Sequence, residues 1–380
     1  MRILLVIPVA DSFRVFLTDL AEYLVDQGHE VLSVFNPVGG ILESPEDAPG
    51  RVAAVDFPRG AHPVKHLRAA RQLRRIVREF EPDVVHAHLS SGILSAALTR
   101  KMGREKSIWF GTFQGLQFPY AKGKGSFLTR WAECWSATAM DEVHVLTDDD
   151  QAALSQMAPR ANVVRQQAFG FGCHDRFFDT PIPDGKARRK AREELGLEEL
   201  DRVFIFIGRM VAHKGFHHAA RAFMRAQAEC PDLKWIVIGE VDPIHPTGLT
   251  SQEWASYQAN PSILRMGVEY DVLPYLDMAD AYLFPTQREG MPVSVMEALA
   301  RRRPVLTNAV RGCRELIRPP ENGQFFPTTD PEAMVPVLQD FQPYLGPEPE
   351  PLTRRSVWVR QTLEIYNRLL GSGDQPPRYE

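Results

Sequence analysis

The sequence predicts an α/β protein made of two Rossmann-like lobes, each a parallel β-sheet covered by helices. Short apolar, β-branched runs alternate with helical stretches through the first half of the chain, and this pattern requires crossovers between parallel strands. A stretch rich in Gly, Pro and Asp then interrupts the alternation, which restarts near residue 202. Because 380 residues exceed the size at which one core stops growing, two domains are expected.

In the first lobe, the strand-like runs are bounded by turn residues and have the length of buried strands. A helix is predicted over residues 13–27, where Phe16, Leu20, Tyr23 and Leu24 recur every three to four positions. Another helix is predicted over residues 64–80. The predicted strands cover residues 2–8, 30–35, 51–57, 82–88, 106–113, 141–147 and 162–166.

The second lobe repeats this organisation after a linker. We predict the first lobe over 1–168, the linker over 169–186, the second lobe over 187–350 and a C-terminal helix over 351–370 that packs back on the first lobe. Open parallel sheets bind ligands beyond the carboxyl ends of their strands, so a ligand is expected between the lobes. The predicted strands cover residues 202–208, 233–240, 262–267, 281–286 and 303–308.

Composition excludes several classes of function. A net charge of -4 gives no general attraction to nucleic acid. The four cysteines are widely spaced and lack the pairing of a zinc site, so we expect reduced thiols, a cytoplasmic protein and no metal. The apolar run after Met1 breaks at Pro8, which favours a buried strand over a signal peptide or a membrane span.

The stretch REGMPVSVMEA places Glu289 and Glu297 eight positions apart around Pro292, which is predicted as the first residue of a helix. A helix start offers free N–H groups and a partial positive charge to a phosphate. One carboxylate can then accept hydrogen bonds from a sugar and the other from a ribose diol. The alternative interpretation is an acidic residue near a helix start and an unrelated surface glutamate.

The stretch IFIGRMVAHKG places Arg209 and Lys214 after a strand that ends near Gly208. Two cations at a strand end can hold a diphosphate, although two solvated side chains would give the same pattern. Taken with the two glutamates, the cations indicate a pocket for a nucleotide-diphosphate sugar. The chain contains neither a P-loop nor a GxGxxG motif.

These motifs carry a resemblance to a known family. The stretches "GR...HKG", "REGMPVSVMEA" and "RPVLTNAVRGCREL" resemble the retaining GT-B glycosyltransferases of family 4 with their E-x7-E spacing. "PDVVHAH", the "GFGC...F" hinge and the terminal helix fit the same pattern, so the resemblance covers most of the chain. The stretch "GEVDPIHPTGLT" is similar to the capsular, O-antigen and lipid-linked-oligosaccharide glycosyltransferases. The implied fold is GT-B, with two lobes facing each other across a cleft.

The resemblance implies roles for individual residues of the second lobe. Arg209 and Lys214 would neutralise the leaving diphosphate, and Glu289 would contact the donor sugar, which makes these three the catalytic candidates. Glu297 would bind the ribose. Gly267 and Val268 would lie beside the nucleobase, and backbone groups around Gly290, Met291 and Pro292 would hold phosphate and sugar. Gly208 and Val293 are further donor-binding candidates. No cofactor is implied, and a UDP-sugar donor is favoured over a GDP-sugar.

In the first lobe, three residues are acceptor-side candidates. Ser12 lies in the first loop, His88 ends a predicted strand, and Gln114 stands where the family usually has the histidine of a His-Gly pair. Glutamine can form hydrogen bonds but does not titrate. A purely structural role for His86 and His88 is the alternative. In the stretch LTDDD, we expect Thr147 or Asp148 to cap a helix.

The helix predicted over 64–80 carries Lys65, Arg68, Arg71, Arg75 and Arg78 along one side. Such a stripe is usually solvated, and its alternative partner is the anionic lipid of the inner membrane face. The sequence therefore predicts a retaining transferase that moves a hexose or N-acetylhexosamine from a nucleotide-diphosphate sugar to a glycan or lipid-linked glycan, in surface polysaccharide biosynthesis. The alternatives are a GT-B-shaped nucleotide-sugar epimerase and a non-catalytic protein that binds a nucleotide sugar or a glycan.

Overall fold

The chain divides into two compact units, which comprise Met1–Phe171 with Arg355–Glu380, and Gly172–Arg354. This division belongs to a computed structural model that describes residues 1–36, 48–58, 60, 62–121, 123, 125–241 and 247–371. Within the "GEVDPIHPTGLT" stretch, residues 242–246 lie outside the described residues.

The first unit is built on a parallel sheet of seven strands in the order β3-β2-β1-β4-β5-β6-β7. Its apolar strand residues, such as Leu4, Val85 and Val143, are fully buried, as expected for a sheet covered on both faces. The chain leaves β1 toward β2 on one side and reaches β4 on the other, so the sheet changes direction between β1 and β4. The strands are β1 (Arg2–Val9), β2 (Glu30–Asn36), β3 (Arg51–Ala54), β4 (Val84–His88), β5 (Ile108–Phe113), β6 (Glu142–Val145) and β7 (Val163–Arg165).

The helix predicted over residues 13–27 is wrong as a single element. Two helices occupy this segment, and Leu17 between them has φ -116° and ψ -9°. The Thr18 hydroxyl donates a hydrogen bond of 3.1 Å to the Arg14 carbonyl, which satisfies an acceptor at the end of the first helix. The helices of this unit are α1 (Ala10–Phe16), α2 (Thr18–Asp26), α3 (Pro63–Phe80), α4 (Leu89–Met102), α5 (Gly125–Thr138) and α6 (Asp148–Met157).

The second unit contains a parallel sheet of six strands in the order β10-β9-β8-β11-β12-β13. Its direction changes between β8 and β11. The last strand was missed by the sequence prediction because its three residues include no β-branched run. The strands are β8 (Arg202–Ile207), β9 (Leu233–Ile238), β10 (Ile263–Gly267), β11 (Ala281–Phe284), β12 (Val305–Thr307) and β13 (Gly323–Phe325).

Eight helices are described around this second sheet. The helix of the REGMPVSVMEA stretch begins at Val293, and Pro292 is its N-cap rather than its first residue. Across the whole described chain, no helix is both long and apolar enough to cross a membrane. The helices are α7 (Arg176–Asp179), α8 (Gly185–Glu194), α9 (Phe216–Glu229), α10 (Ser251–Gln258), α11 (Leu273–Met278), α12 (Val293–Ala300), α13 (Cys313–Leu316) and α14 (Pro331–Gln339).

Buried ion pairs hold α8, α11 and α12 against the second sheet. Asp280 immediately precedes β11, and its carboxylate accepts hydrogen bonds of 2.6 Å from Arg188 and 2.8 Å from Arg192. Arg301 follows α12 and donates to both carboxylate oxygens of Asp277, at 2.8 and 2.9 Å. These pairs fix the starts of β8 and β11, since the Val203 amide also donates to Asp280 at 2.7 Å.

The C-terminal helix α15 (Arg355–Leu369) belongs to the first unit. Its Tyr366 hydroxyl lies 2.6 Å from Nδ1 of His86 in β4, and Gln361 accepts a hydrogen bond of 3.1 Å from the Ala168 amide. Arg368 pairs with the buried Glu142 at 2.5 Å, and His144 lies 2.8 Å from the same carboxylate. A helix distant in sequence thereby completes the core around β4 and β6.

The contacts of the Glu142 carboxylate in the folded chain lower its pKa. Burial raises its pKa, but the hydrogen bonds and charges of His144 and Arg368 outweigh burial and lower the pKa from 4.5 to about 2. A carboxyl group whose pKa is depressed by folding stabilises the folded chain above its unfolded pKa, and this stabilisation disappears as the pH falls toward the folded pKa.

We therefore predict that Glu142→Gln lowers the urea midpoint of unfolding at pH 6, and that its difference from wild type shrinks between pH 4.5 and 3. Circular dichroism in urea at several pH values measures this. The control is Glu79→Gln, which removes an ion pair between side chains that are 81% and 63% exposed and should leave the midpoint unchanged. A difference for Glu142→Gln that stays constant from pH 6 to 3 would contradict the assignment.

Candidate functional site

The strand order of the second sheet locates a candidate site at the carboxyl ends of β8 and β11. Connections leave these two neighbouring strands in opposite directions, which opens a crevice beyond their ends. The segment 208–215 follows β8, and the segment 285–292 follows β11. All four charged candidates of this lobe belong to these segments or to the helix that follows the second of them.

The two segments are held together by direct backbone contacts. The Gln287 amide donates a hydrogen bond of 2.8 Å to the His213 carbonyl, and the Thr286 hydroxyl lies 3.0 Å from the same oxygen. Gly215 has φ 78°, and a Cβ atom there would lie 2.0 Å from the Pro285 carbonyl oxygen. Glycine is therefore required at 215, because any side chain would separate the segments.

Lys214 and Glu289 meet at this junction. Lys214 Nζ lies 2.7 Å from Glu289 Oε1, and the Thr286 hydroxyl lies 2.8 Å from the same oxygen. The Lys214 side chain is 24% exposed and that of Glu289 is 9% exposed. An ammonium group has three N–H donors, so Lys214 keeps donors for a further acceptor while Glu289 orients it. The ammonium also lies 5.5 Å from the centre of the Phe284 ring.

Three glycines lie side by side at the carboxyl ends of β8, β9 and β10. The Gly239 amide, after β9, donates a hydrogen bond of 2.7 Å to the carbonyl of Gly267, the last residue of β10. A Cβ atom at Gly239 would lie 2.1 Å from the carbonyl oxygen of Gly208, after β8. The backbones therefore approach closely at this edge of the sheet, where a side chain on Gly239 would not fit.

Two further donor candidates lie at the ends of these strands. Arg209 follows Gly208 and is exposed, and Val268 follows Gly267 and is 47% exposed. Arg209 also takes part in polar or electrostatic contacts of its own.

The start of α12 contributes backbone and carboxylate groups to the same edge. The N-cap, Pro292, makes no side-chain hydrogen bond to this helix, and Gly290 and Met291 precede it on the way into Val293. The Tyr282 hydroxyl joins β8 to α12, since it lies 2.9 Å from the Ile207 carbonyl and 2.8 Å from Ser294 Oγ. Burial raises the pKa of Tyr282 well above its usual value, and the charges of Glu289 and Glu297 raise it further. Both glutamates thus act on one hydroxyl at the helix start.

Two residues that were not predicted from the sequence shape the loop before α12. Asn308, after β12, donates hydrogen bonds of 2.8 and 2.9 Å to the carbonyls of Pro285 and Thr286. Arg311 donates a bond of 3.0 Å to the Glu289 carbonyl. Both residues stand in the quoted stretch RPVLTNAVRGCREL, but only the parallel pairing of β11 with β12 shows which loop they hold.

In the first unit, the acceptor-side candidates occupy the carboxyl ends of three adjacent strands. Ser12 is in α1 directly after β1, His88 is the last residue of β4, and Gln114 follows β5. His86 has a structural role, because its ring also lies 2.8 Å from the Thr112 hydroxyl. His88 is fully buried, and neither ring nitrogen has a hydrogen-bond partner among the described residues. Burial lowers the pKa of His88 to about 3, so its ring is neutral.

The loop that carries Gln114 is held by a buried carboxylate. Glu133 of α5 is 2% exposed and accepts hydrogen bonds of 3.0 Å from the Gln117 amide and 2.9 Å from the Phe118 amide. The Ser90 hydroxyl donates to the same carboxylate. Burial raises the pKa of Glu133, whereas these three donors lower it. Within the described structure, Gln114 Nε2 is buried without a hydrogen-bond partner.

A second buried carboxylate lies beside Glu133. Asp150 Oδ2 is 3.4 Å from the Leu116 amide, and the Asp150 amide donates to Thr147 Oγ1 at 3.2 Å. The prediction that the LTDDD stretch caps a helix is therefore confirmed, with Thr147 as the cap. Over the described ranges, no group of three or more His, Cys, Asp or Glu side chains has the arrangement of a metal site.

Family models match both units. A glycosyl transferase 4-like domain matches residues 13–167, and a domain of the glycosyl transferases group 1 matches residues 201–340. The two matches contain the carboxyl ends of β4 and β5 and of β8 and β11, respectively.

Curated relatives and solved structures agree with these matches. The putative glycosyltransferase EpsD of Bacillus subtilis is 24% identical over 68% of this chain and 67% of its own length. A UDP-Gal:alpha-D-GlcNAc-diphosphoundecaprenol alpha-1,3-galactosyltransferase of Escherichia coli is 22% identical over 72% of this chain and 70% of its own.

Two crystal structures have the same fold over nearly the whole chain. A glycosyltransferase from Rickettsia africae has a TM-score of 0.73 at 17% identity, covering 98% of this chain and 99% of its own. Anabaena Alr3699/HepE in complex with UDP-glucose has a TM-score of 0.69 at 15% identity, covering 98% of this chain and 93% of its own. The two family matches cover most of the chain, and both sheets are parallel. This chain therefore belongs to the glycosyltransferases of GT-B fold.

Proposed function

We propose that the protein transfers a hexose or N-acetylhexosamine from a nucleotide-diphosphate sugar to a hydroxyl of a glycan or lipid-linked glycan, with retention of configuration. The observation that carries the proposal is the 2.7 Å contact between Lys214 and Glu289 at the switch point of the second sheet. This contact holds a cation for a diphosphate beside a carboxylate for sugar hydroxyls.

Each charged residue then has a distinct task. Negative charge develops on the diphosphate as the glycosidic bond breaks, and Lys214, with Arg209, stabilises that charge. The N–H groups at the start of α12 add to this stabilisation. The remaining lone pairs of Glu289 accept hydrogen bonds from sugar hydroxyls, and Glu297 accepts them from the ribose. Arg209, Lys214 and Glu289 are accordingly the catalytic residues of the proposal.

Retention follows from front-face attack. The bond from the anomeric carbon to the phosphate oxygen breaks, the acceptor oxygen bonds to the same face, and the acceptor proton passes to the departing phosphate. A protein nucleophile is unnecessary. Support comes from Glu289, because its Oε1 lies at hydrogen-bond distance from both Lys214 Nζ and Thr286 Oγ1, which reduces the nucleophilicity of that oxygen.

The donor is proposed to be a UDP-sugar, and the acceptor a glycan carried on a lipid. The comparisons support both, since one relative is named for transfer from UDP-Gal to a diphosphoundecaprenol-linked sugar and one solved structure contains UDP-glucose. The first unit is assigned to the acceptor, with Ser12, His88 and Gln114 as its candidates. The proposed location is the cytoplasm, at the inner membrane face, with the exposed basic side of α3 toward anionic lipid.

Ligand-induced stabilisation tests the choice of donor. A ligand at 100 times its dissociation constant adds about 2.7 kcal/mol to the stability of the unit that binds it. We predict that UDP-glucose, UDP-galactose or UDP-N-acetylglucosamine raises the thermal midpoint, measured by differential scanning fluorimetry, whereas GDP-mannose and ADP-glucose do not. A response to GDP-mannose or ADP-glucose alone would refute the UDP assignment. Conversion of the donor to its epimer without an acceptor would instead identify an epimerase.

Replacement of the paired charges tests the site directly. Lys214→Met and Glu289→Gln should each lower kcat at least about 100-fold, because each removes a charge that acts on the transition state. The matched control is Lys234→Met. Lys234 lies at the amino end of β9, is 23% exposed and pairs with Asp201, which precedes β8 and is 6% exposed. Its kcat should match that of wild type. Wild-type turnover by folded Lys214→Met or Glu289→Gln would contradict the proposal.

Glu133 is proposed as a positioning residue that acts through Gln114. Glu133→Gln keeps the size of the side chain but loses acceptor capacity for the loop amides, so the acceptor KM should rise about tenfold. The donor KM should stay within about twofold, because the donor candidates lie in the second unit. Steady-state kinetics with each substrate varied in turn measures this. A merely structural role predicts equal changes in both KM values. If Glu133→Gln raises the acceptor KM by the same factor in the Gln114→Ala variant as in the wild type, Glu133 does not act through Gln114.

A further inference from the structure

The Thr286 hydroxyl is a buried hydrogen-bond donor beside the Glu289 carboxylate. Thr286 is the second residue after β11, and it is 0% exposed. Its Oγ1 lies 2.8 Å from Glu289 Oε1 and 3.0 Å from the His213 carbonyl oxygen. Thr286 precedes the REGMPVSVMEA stretch by two positions and was not predicted as a site residue.

The backbone around Thr286 fixes the position of this hydroxyl. The Thr286 amide donates a hydrogen bond of 2.7 Å to the Phe284 carbonyl, and the Asn308 side chain donates one of 2.9 Å to the Thr286 carbonyl. A threonine side chain is branched at Cβ and has few accessible rotamers. The hydroxyl is therefore held by the second unit itself, and it determines where the Glu289 carboxylate lies.

The single proton of this hydroxyl has two acceptors within reach. A threonine hydroxyl has one O–H donor, whereas the His213 carbonyl and the Glu289 carboxylate both accept. The His213 carbonyl already receives the Gln287 amide at 2.8 Å. A hydrogen bond to a carboxylate is stronger than one to a neutral carbonyl. We therefore assign the Thr286 proton to Glu289 Oε1.

The other donor to Glu289 Oε1 has a second task in the proposed reaction. The Lys214 ammonium lies 2.7 Å from the same oxygen and is 24% exposed. When a diphosphate binds, two anionic groups compete for the three N–H donors of this one ammonium. A buried carboxylate that loses a partner is costly, and the Glu289 side chain is only 9% exposed. The Thr286 hydroxyl is fully buried and is not shared with the diphosphate.

We propose that Thr286 is a positioning residue of the transfer reaction, whose O–H holds Glu289 Oε1 in place while the Lys214 ammonium also binds the diphosphate. Oε1 is then occupied by the protein, and Oε2 of the same carboxylate accepts the hydroxyls of the donor sugar. This inference rests on the proposed function, in which Glu289 binds that sugar.

Four single substitutions separate this role from a purely structural one. Thr286→Val keeps the shape of the side chain without its hydroxyl, Thr286→Ser keeps the hydroxyl, and Thr286→Ala replaces the valine variant if that variant does not fold. The matched control is Thr307→Val. Thr307 in β12 is also 0% exposed, and its hydroxyl donates a hydrogen bond of 2.6 Å to the Phe284 carbonyl. Thermal midpoints report the loss of stability in each variant.

Steady-state kinetics with the donor varied gives the main readout. Thr286→Val should lower kcat/KM for the donor at least about tenfold, because it removes a hydrogen bond to a charged group. Thr286→Ser should recover most of this loss, and Thr307→Val should stay within about twofold of wild type. An unchanged kcat/KM in folded Thr286→Val, no recovery in Thr286→Ser, or an equal loss in Thr307→Val would overturn the proposal.

A double-mutant cycle shows whether Thr286 acts through Glu289. In the Glu289→Gln variant, Thr286→Val should change kcat/KM for the donor by less than about twofold. A further tenfold loss in that variant would place the effect of Thr286 elsewhere and overturn the proposal. Wild-type turnover by Glu289→Gln would contradict the proposed function itself, whereas low turnover by Glu289→Gln with full activity of Thr286→Val would overturn this inference alone.

Discussion

The candidate donor site depends on one interaction, the contact between the Lys214 ammonium and the Glu289 carboxylate. The two residues follow different strands, and they meet because β8 and β11 are neighbours whose connections leave in opposite directions. Within the described structure, the ammonium and the carboxylate therefore lie side by side beyond the carboxyl ends of these two strands. The Thr286 hydroxyl and the Gly215 turn keep this geometry in place.

Ion pairs at the amino ends of β8 and β11 fix the two strands whose carboxyl ends carry that contact. Asp280 accepts hydrogen bonds from two arginines and from the Val203 amide, and Arg301 binds Asp277 through two hydrogen bonds. Burial of these charges is costly, and the hydrogen bonds offset that cost only in this arrangement. The ion pairs therefore act mainly by defining one position for β8, β11 and α12. The segments 208–215 and 285–292, which follow β8 and β11, are positioned by these strands.

The sequence was sufficient for elements that have a strong hydrophobic period. The strands at 2–8 and 202–208 are confirmed, because their apolar runs are long enough to be fully buried. The strand Gly323–Phe325 has no such run and is recognisable only from its pairing with β12. The break at Leu17 was also unpredictable, since the apolar spacing continues across it and the local Thr18 hydrogen bond determines the end of α1.

Some site residues could be predicted from the sequence, and others are recognised only in the structure. Lys214 and Glu289 belong to short motifs, IFIGRMVAHKG and REGMPVSVMEA, so the amino-acid sequence alone identifies both as candidates. Glu133 and Asn308 act on loops that are remote in sequence, and their roles depend on strand order and burial rather than on a local motif.

The central claim is that Lys214, held by Glu289, recognises the diphosphate of the donor. Isothermal titration of UDP and UMP into the wild-type chain and into Lys214→Met tests it most directly. A hydrogen bond to a charged group contributes about 1.5 to 3 kcal/mol, so UDP should bind the wild type at least about tenfold more tightly than UMP. In Lys214→Met this preference should fall about tenfold or more, while Arg209 and the start of α12 retain the rest. An undiminished preference for UDP in that variant would contradict the account.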